Sequence, residues 1–403
     1  MKVLFTFGGM PHYLVEMLNN IHDRGIDVVV IIPEGHSKVV GQAVLQDQTN
    51  AKFKIIGTKE IKSYYKLQYL TGLKRIIKNE KPDIFVTNWP YVGGFVFYPD
   101  LLFTIKKYKV KLIMREIPFM VAPFNKAFSY YKKYPVYDEN LVYEKNYGVK
   151  YYLKMLFLTL VRKYYYSIIK GTINYAPKAF EVQPSYGVKA KNIFITNNSP
   201  NTDELFFEKS KIDINKLDYN PYRIIHVGRL AKWKRVDILI SAFSKVKQQF
   251  PMSELLIIGN GPEKENLIKL VNSFNISESI TWAGGVYDYP TLGKYLMSSG
   301  VYVLAGMGGL SINEAMAFGK PIICSVCDGT EKVLVRDGIN GLFFKENDID
   351  DLAQKIIYLF NNPELIGQMG IKSEQIIKEE ININSVVDNY INAFEYFNNT
   401  SKK

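Results

Sequence analysis

Apolar positions come in short runs separated by helix-period stretches. Val3-Leu4-Phe5-Thr6-Phe7 reads as a buried strand ended by Gly8-Gly9. Leu14, Met17, Leu18 and Ile21 then fall on one helical face. Gly25 punctuates, and Val28 to Ile32, Phe53 to Ile56, Asp83 to Thr87 and Lys111 to Met114 read as further strands, with a helical pattern over Leu73 to Asn79. The grammar repeats later: strands over Arg223–Val227, Glu254–Ile258, Ser279–Trp282, Val301–Leu304 and Pro321–Cys324, helices over Val236–Gln248 and Ile312–Phe318. Strand alternating with helix predicts α/β architecture with parallel sheets covered on both faces. No repeat of 20–50 residues interrupts it.

The 403 residues suit two such doubly wound domains. The expected division is an N-terminal domain over 1–205, a polar linker over 206–221, a second domain over 222–375, and a terminal helix over 376–403 packing back on the first domain. Ligands of such sheets bind beyond the carboxyl ends of the strands, so a cleft faced by both domains is the expected site.

Composition adds limits. An apolar share of 47 % excludes disorder and low-complexity polymer. Two cysteines make no disulfide framework, so a reducing compartment is expected. No run approaches 18 uncharged apolar residues, and the start has no signal-peptide pattern, so a cytoplasmic location is expected. The net charge of +12 is uneven: residues 126–170 hold nine Lys/Arg against three acids, with eleven tyrosines. Leu153, Met155, Leu156, Leu158, Leu160 and Val161 stand among Lys154, Arg162, Lys163 and Tyr164 to Tyr166. Three readings follow: an interfacial helix on an anionic leaflet, an ordinary domain helix with a basic coat, or a single-stranded nucleic-acid surface, the last the least favoured.

Two stretches carry the chemistry. In His226-Val-Gly-Arg-Leu-Ala-Lys-Trp-Lys, a strand ends at Gly228, and Arg229 and Lys234 follow across a turn. A planar donor fork and a point charge at this spacing suit a diphosphate; a solvated basic loop is the plainer alternative. In Gly306-Met-Gly-Gly-Leu-Ser-Ile-Asn-Glu, Gly308 and Gly309 let backbone approach a ligand at a helix start. Ser311 and Glu314 have the spacing of a capping box, which would leave Glu314 a local structural task. Cys324-x-x-Cys327 has redox or zinc spacing but lacks a second pair, so a structural role is expected. Asp348-x-Asp350 precedes a helix, where Asp350 fits an N-cap better than a metal ligand. His12, after the Gly-Gly turn, is a candidate at the cleft.

Together these stretches resemble the retaining nucleotide-sugar glycosyltransferases of family 4. The matching motifs are Gly228-Arg229-Leu230 with Lys234, Ile257-Ile258-Gly259-Asn260-Gly261-Pro262, Glu314-Ala-Met-Ala-Phe-Gly319-Lys320-Pro321, and Asp337-Gly-Ile-Asn-Gly341-Leu342. The resemblance is specific over about 195–345, looser over 1–125 and absent over about 125–175. It implies the GT-B architecture of two facing Rossmann-like domains. It implies that Arg229 and Lys234 hold the donor diphosphate and its growing charge, and that Glu314 binds the ribose hydroxyls. Gly308, Gly309, Leu310 and Ser311 would offer N–H groups to phosphate and sugar, Gly285 and Val286 would lie beside the base, and Gly8 and Gly9 would meet donor phosphate and acceptor. The activity implied is retaining transfer of a sugar from UDP or GDP to a glycan or lipid-linked glycan, as in cell-surface polysaccharide synthesis, with no metal or other cofactor. A sugar-nucleotide epimerase, a glucan synthase, or a non-catalytic sugar-nucleotide-binding partner remains open. Two departures stand out. Gly306 replaces a glutamate that touches the donor sugar in the family. Arg115-Glu116 stands where the family tends to have a histidine, which makes both residues candidates for sugar or acceptor contact, with an ion pair as the alternative.

Overall fold

In the computed structural model, the described residues are all but 36–47, 63–66, 117–120, 128, 131–135, 138–142, 145–147, 327–329 and 400–403. They divide into two compact units, Met1–Asn197 with Asn384–Lys403, and Asn198–Ile383.

The first unit holds seven parallel strands: β1 Lys2–Thr6, β2 Asp27–Pro33, β3 Lys54–Thr58, β4 Ile84–Asn88, β5 Lys111–Glu116, β6 Gly171–Asn174 and β7 Ile193–Ile195, in spatial order β7-β6-β5-β4-β1-β2-β3. The second holds β8 Asn220–Val227, β9 Glu254–Ile258, β10 Ile280–Gly284, β11 Ser299–Leu304, β12 Ile322–Ser325 and β13 Gly341–Phe344, in order β10-β9-β8-β11-β12-β13. Each is the doubly wound order, in which the chain reverses direction across the sheet after its third strand. The ligand crevice of such a sheet lies at that reversal, beside β1 and β4 in one unit and β8 and β11 in the other. Continuous apolar runs explain the parallel sheets: Val28 to Ile32, Leu255 to Ile258 and Val301 to Leu304 are buried on both faces. The strands β6, β7 and β13, of three or four residues each, add to those expected from the sequence pattern.

The boundary falls at Asn197/Asn198, not within 206–221. The expected linker starts inside a helix, Thr202–Ser210, whose Asn201 cap accepts from the Glu204 N–H. Leu205 is fully buried and Ile212 packs beside it, so the segment is part of the second unit's core. Its polar composition reflects an exposed outer face. The terminal region also divides differently from 376–403. The helix Pro363–Glu379 buries Ile376 and Ile377 in the second unit, and the helix Ile383–Asn399 buries Tyr390, Phe394 and Phe397 in the first. There Phe394 meets Phe5 edge-on at 5.9 Å and Phe397 meets Phe194 at 5.2 Å. Among the described residues no helix is long and apolar enough to cross a membrane.

Candidate functional site

The second unit gathers its candidate residues at the carboxyl ends of β8 to β11. After β8 the chain passes through Gly228, Arg229 and Leu230 into the tight turn Lys232–Lys234. Glycines of the neighbouring loop hold this segment from below. A Cβ on Gly259 (φ +145°) would fall 1.9 Å from the Gly228 carbonyl, and one on Gly261 would fall 2.2 Å from that of Leu230. The Leu230 N–H also donates to the Asn260 carbonyl (2.9 Å). The Asn260 side chain, with its oxygen on the Gly285 N–H (3.0 Å), links this loop to the one after β10. Gly285 and Val286 thus join the same rim.

Arg229 is half-buried, with its guanidinium 5.6 Å from the Trp233 ring centroid. It has no acid partner among the described residues, and its buried Nε has no hydrogen bond. Lys234 is engaged: its Nζ donates to the carbonyls of Met307 (2.9 Å) and Gly308 (2.7 Å). The Met307 N–H returns a bond to the Trp233 carbonyl (2.9 Å). Lys234 therefore positions the glycine loop as well as bringing charge to it. Gly308 is half-buried and Gly309 exposed, 3.2 Å from Lys234 Nζ when extended by a Cβ.

Gly306 has a steric reason. A Cβ there would lie 2.2 Å from the Trp233 carbonyl oxygen and 2.7 Å from the Lys234 carbonyl carbon. Main chain occupies the place where the family's glutamate would branch.

Ser311 and Glu314 form no capping box. The helix Ser311–Ala317 is preceded by Leu310 in helical conformation, so Ser311 is the first helical residue and no side chain caps it. Ser311 Oγ instead lies 2.8 Å from the Tyr302 hydroxyl, which is also 3.3 Å from the Val227 carbonyl. Glu314 is left without a hydrogen-bond partner for its carboxylate among the described residues. It is half-buried, and burial pushes its pKa up to about 7.

His226, on β8, is a further residue of this rim. Its Nδ1 lies 3.0 Å from the Val303 carbonyl and so carries the proton, leaving a buried Nε2 with no partner among the described residues. Burial, and next to it the Lys234 charge, pulls its pKa down to about 4 against the pull of the Val303 bond, so the ring is neutral. Its place in an otherwise apolar strand was the available signal. Lys320 is buried too, donating to the Ser299 carbonyl (2.7 Å), and burial lowers its pKa to about 7.

In the first unit, Gly8 is buried and Gly9 half-buried after β1. His12 opens the helix His12–Asp23, exposed and 3.6 Å from Glu16. Glu116 is not open to a ligand. It is ion-paired with Arg162, accepts from the Tyr166 hydroxyl, and sits 3.5 Å from Gln183 Nε2. Burial raises its pKa to about 8, opposed by the Gln183 bond. Gln183 continues the network to Asn174 and Thr172. Arg115 points to the opposite face, where its Nε donates to the Tyr390 hydroxyl (2.9 Å). The Arg115-Glu116 ion pair is therefore excluded, and Glu116 is corrected from sugar contact to core network.

Other expectations change as well. Asp348, not Asp350, caps the helix Ile349–Asn361, accepting from the Asp351 N–H, and Asp350 pairs with Lys245. Cys324 is buried, and Cys327 lies outside the described residues. No cluster of three metal-ligating side chains occurs among the described residues. In the basic region, Met155, Val161 and Arg162 are buried, and Lys163 donates to the Ser185 carbonyl (3.2 Å). The outer face of the helix Val149–Ile168 instead exposes Val149, Leu153, Leu156, Leu160 and Tyr164 at helical spacing.

Known proteins resemble parts of this chain. Residues 207–376 match the family model of glycosyl transferases group 1. That match lies within the second unit, and the fold is GT-B. An uncharacterized glycosyltransferase of Haemophilus influenzae is 32 % identical over 170 residues, 41 % of this chain and 47 % of that protein. The alpha-monoglucosyldiacylglycerol synthase of Acholeplasma laidlawii is 29 % identical over 232 residues, 55 % of this chain and 54 % of its own. The chain thus spans about half the length of these curated relatives. HepE of Anabaena, solved in complex with UDP, superposes with a TM-score of 0.69 at 13 % identity, covering 98 % of this chain and 100 % of its own. That likeness speaks for the fold alone.

Proposed function

We propose that the protein is a retaining glycosyltransferase that moves a sugar from UDP or GDP to a glycan or lipid-linked glycan acceptor. One observation carries the reading. The second unit's crevice holds a guanidinium, Arg229, and a carboxyl, Glu314, that are both unpaired among the described residues. The first is complementary to a diphosphate and the second to a ribose diol. An epimerase or a binding partner of another transferase would use the same donor groups.

In this reading the departing diphosphate takes up charge as the sugar bond breaks. Arg229, Lys234 and the loop N–H groups from Gly308 to Ser311 stabilise that charge. Their preset placement by the Lys234 and Asn260 bonds avoids reorganisation during the reaction. The reading requires no metal, because fixed cations supply the counter-charge. The acceptor hydroxyl oxygen bonds to the anomeric carbon from the face that the diphosphate leaves and passes its proton to that diphosphate, so the configuration is retained.

A membrane-surface location is part of the proposal. The exposed stripe Val149–Leu153–Leu156–Leu160–Tyr164 is flanked by exposed Lys150 and Lys170. Shallow apolar insertion with nearby cations is the pattern of reversible interfacial binding. The relative that makes a glucosylated diacylglycerol supports a lipid-linked acceptor.

The test is incubation with labelled UDP- and GDP-sugars and a bacterial envelope lipid extract. Sugar incorporated as the α- or β-anomer matching the donor supports retaining transfer. A new sugar nucleotide would replace the reading with epimerisation, and donor binding without turnover would replace it with a partner role.

A further inference from the structure

Arg115 is 8 % exposed and carries a charge with no acid beside it among the described residues. Its Nε is used by Tyr390, while its two terminal nitrogens take no hydrogen bond among the described residues. Its guanidinium lies 5.1 Å from the Phe7 ring centroid and 4.5 Å from that of Tyr175. Aromatic faces attract a cation but do not neutralise it. A buried charge without a counter-ion is costly, so the fold tolerates it only for a reason elsewhere.

A second orphan lies next to it. Asn88, which ends β4, is the register partner of Arg115 on β5, so both side chains rise from one face of the sheet. Its Oδ1 is buried and has no hydrogen-bond partner among the described residues. Phe7 precedes the Gly8-Gly9 turn, and Tyr175 follows β6. The group therefore crowns the carboxyl ends of β1, β4, β5 and β6, beside the strand-order reversal where a doubly wound sheet takes its ligand. Half-buried Tyr13 closes the ring: burial raises its pKa, and the Arg115 charge pulls it back down.

We propose that Arg115 docks an oxyanion carried by the acceptor, a phosphate ester or a carboxylate, with Asn88 receiving an adjacent acceptor hydroxyl. A planar fork with two free N–H-bearing nitrogens matches the paired oxygens of either group. The inference rests on reading the second unit as the donor site, which leaves this crevice for the acceptor.

The first arm needs no transfer. In the full chain carrying Arg229→Ala and Lys234→Ala, inorganic phosphate and acetate are each compared with chloride at equal ionic strength by thermal unfolding. At least one anion raises the midpoint, and whichever does names the source. Adding Arg115→Gln abolishes the rise. If that variant does not fold, Arg115→Lys keeps the charge, loses the fork and shows a smaller rise. A rise unchanged by either substitution, or no rise with either anion, overturns the proposal. The second arm compares acceptors bearing a phosphate ester, a carboxylate or neither. In Arg115→Lys the KM for the anionic acceptor rises about tenfold or more, as for a charged hydrogen bond lost, while the donor KM stays. An unchanged acceptor KM overturns the proposal. UDP titration of the otherwise unaltered chain separates the two readings: absent UDP binding unseats the donor site and leaves the phosphate result standing.

Discussion

Glu314 offers a test in which function and stability pull apart. Its carboxyl is half-buried with no hydrogen-bond partner among the described residues, and burial alone raises its pKa from 4.5 to about 7. The sign of the consequence is fixed by linkage. Below pH 4.5 the group is protonated in the folded and unfolded chain alike and has no pH-dependent effect. As pH rises from 4.5 to 7 the unfolded chain loses its proton first, so stability falls by about 1.4 kcal/mol per pH unit. Above about pH 7 the folded form ionises too and the loss is complete, at up to about 3 kcal/mol. Glu314→Gln removes the titration. The variant should therefore gain on the wild type by up to about 3 kcal/mol between about pH 4.5 and pH 8 in the ligand-free state. Urea unfolding of both proteins across that range measures the difference directly, since every other titrating group, including Glu116, His226 and Lys320, is common to both. With a saturating sugar nucleotide the gap should narrow or close. The variant loses a charged hydrogen bond to the ribose, about 1.5–3 kcal/mol of donor affinity. Parallel pH curves for the two proteins would show that the carboxyl is well solvated. Unchanged donor affinity would show that it does not hold the ribose.

Replacing Arg229 or Lys234 with Ala should lower turnover by about 10²-fold or more, the effect of removing a charge-stabilising donor. Arg229→Ala should leave the unfolding midpoint unchanged, whereas Lys234→Ala should lower it, because only Lys234 ties the Met307–Gly308 carbonyls; steady-state kinetics with thermal unfolding checks both. Gly306→Glu, which restores the residue common in the family, should weaken donor binding and destabilise the fold by about 1–3 kcal/mol, since the branch enters main chain at Trp233; a gain of activity would refute the steric account. Flotation with anionic vesicles should recover the protein at low salt and not on neutral lipid. Changing Leu153, Leu156 and Leu160 to Ser should release it while UDP binding persists, and a wild type that stays with the aqueous fraction would remove the interfacial role. Arg162 and Lys163 are unsuitable for that test because they serve the interior, and Lys132 and Lys133 lie outside the described residues.

Much of the second unit was legible in the chain because its information is local. The turn Gly228–Lys234, the Gly259–Pro262 loop and the Gly306–Ser311 loop each lie within about ten consecutive residues. Their glycines answer to close backbone approaches at the strand ends, and their strands are continuous apolar runs that a parallel sheet requires. The same locality misled at Ser311 and Glu314, where a spacing shared by capping boxes proved to belong to a helix that begins one residue earlier. The Ser311 hydroxyl is instead engaged by Tyr302 of the strand β11. In the first unit the decisive partners are remote. Glu116 meets Arg162 46 residues away, and Arg115 meets Tyr390 275 residues away. Side chains on neighbouring strand positions face opposite sides of a sheet, so Arg115 and Glu116, adjacent in the chain, were sent to different neighbours. The sequence alone determined that two doubly wound units exist and which loops of the second carry charge. Only the tertiary structure decided which of those charges are spent on the protein's own interior and which are left for a ligand, because neutralisation depends on what the fold places within about 4 Å.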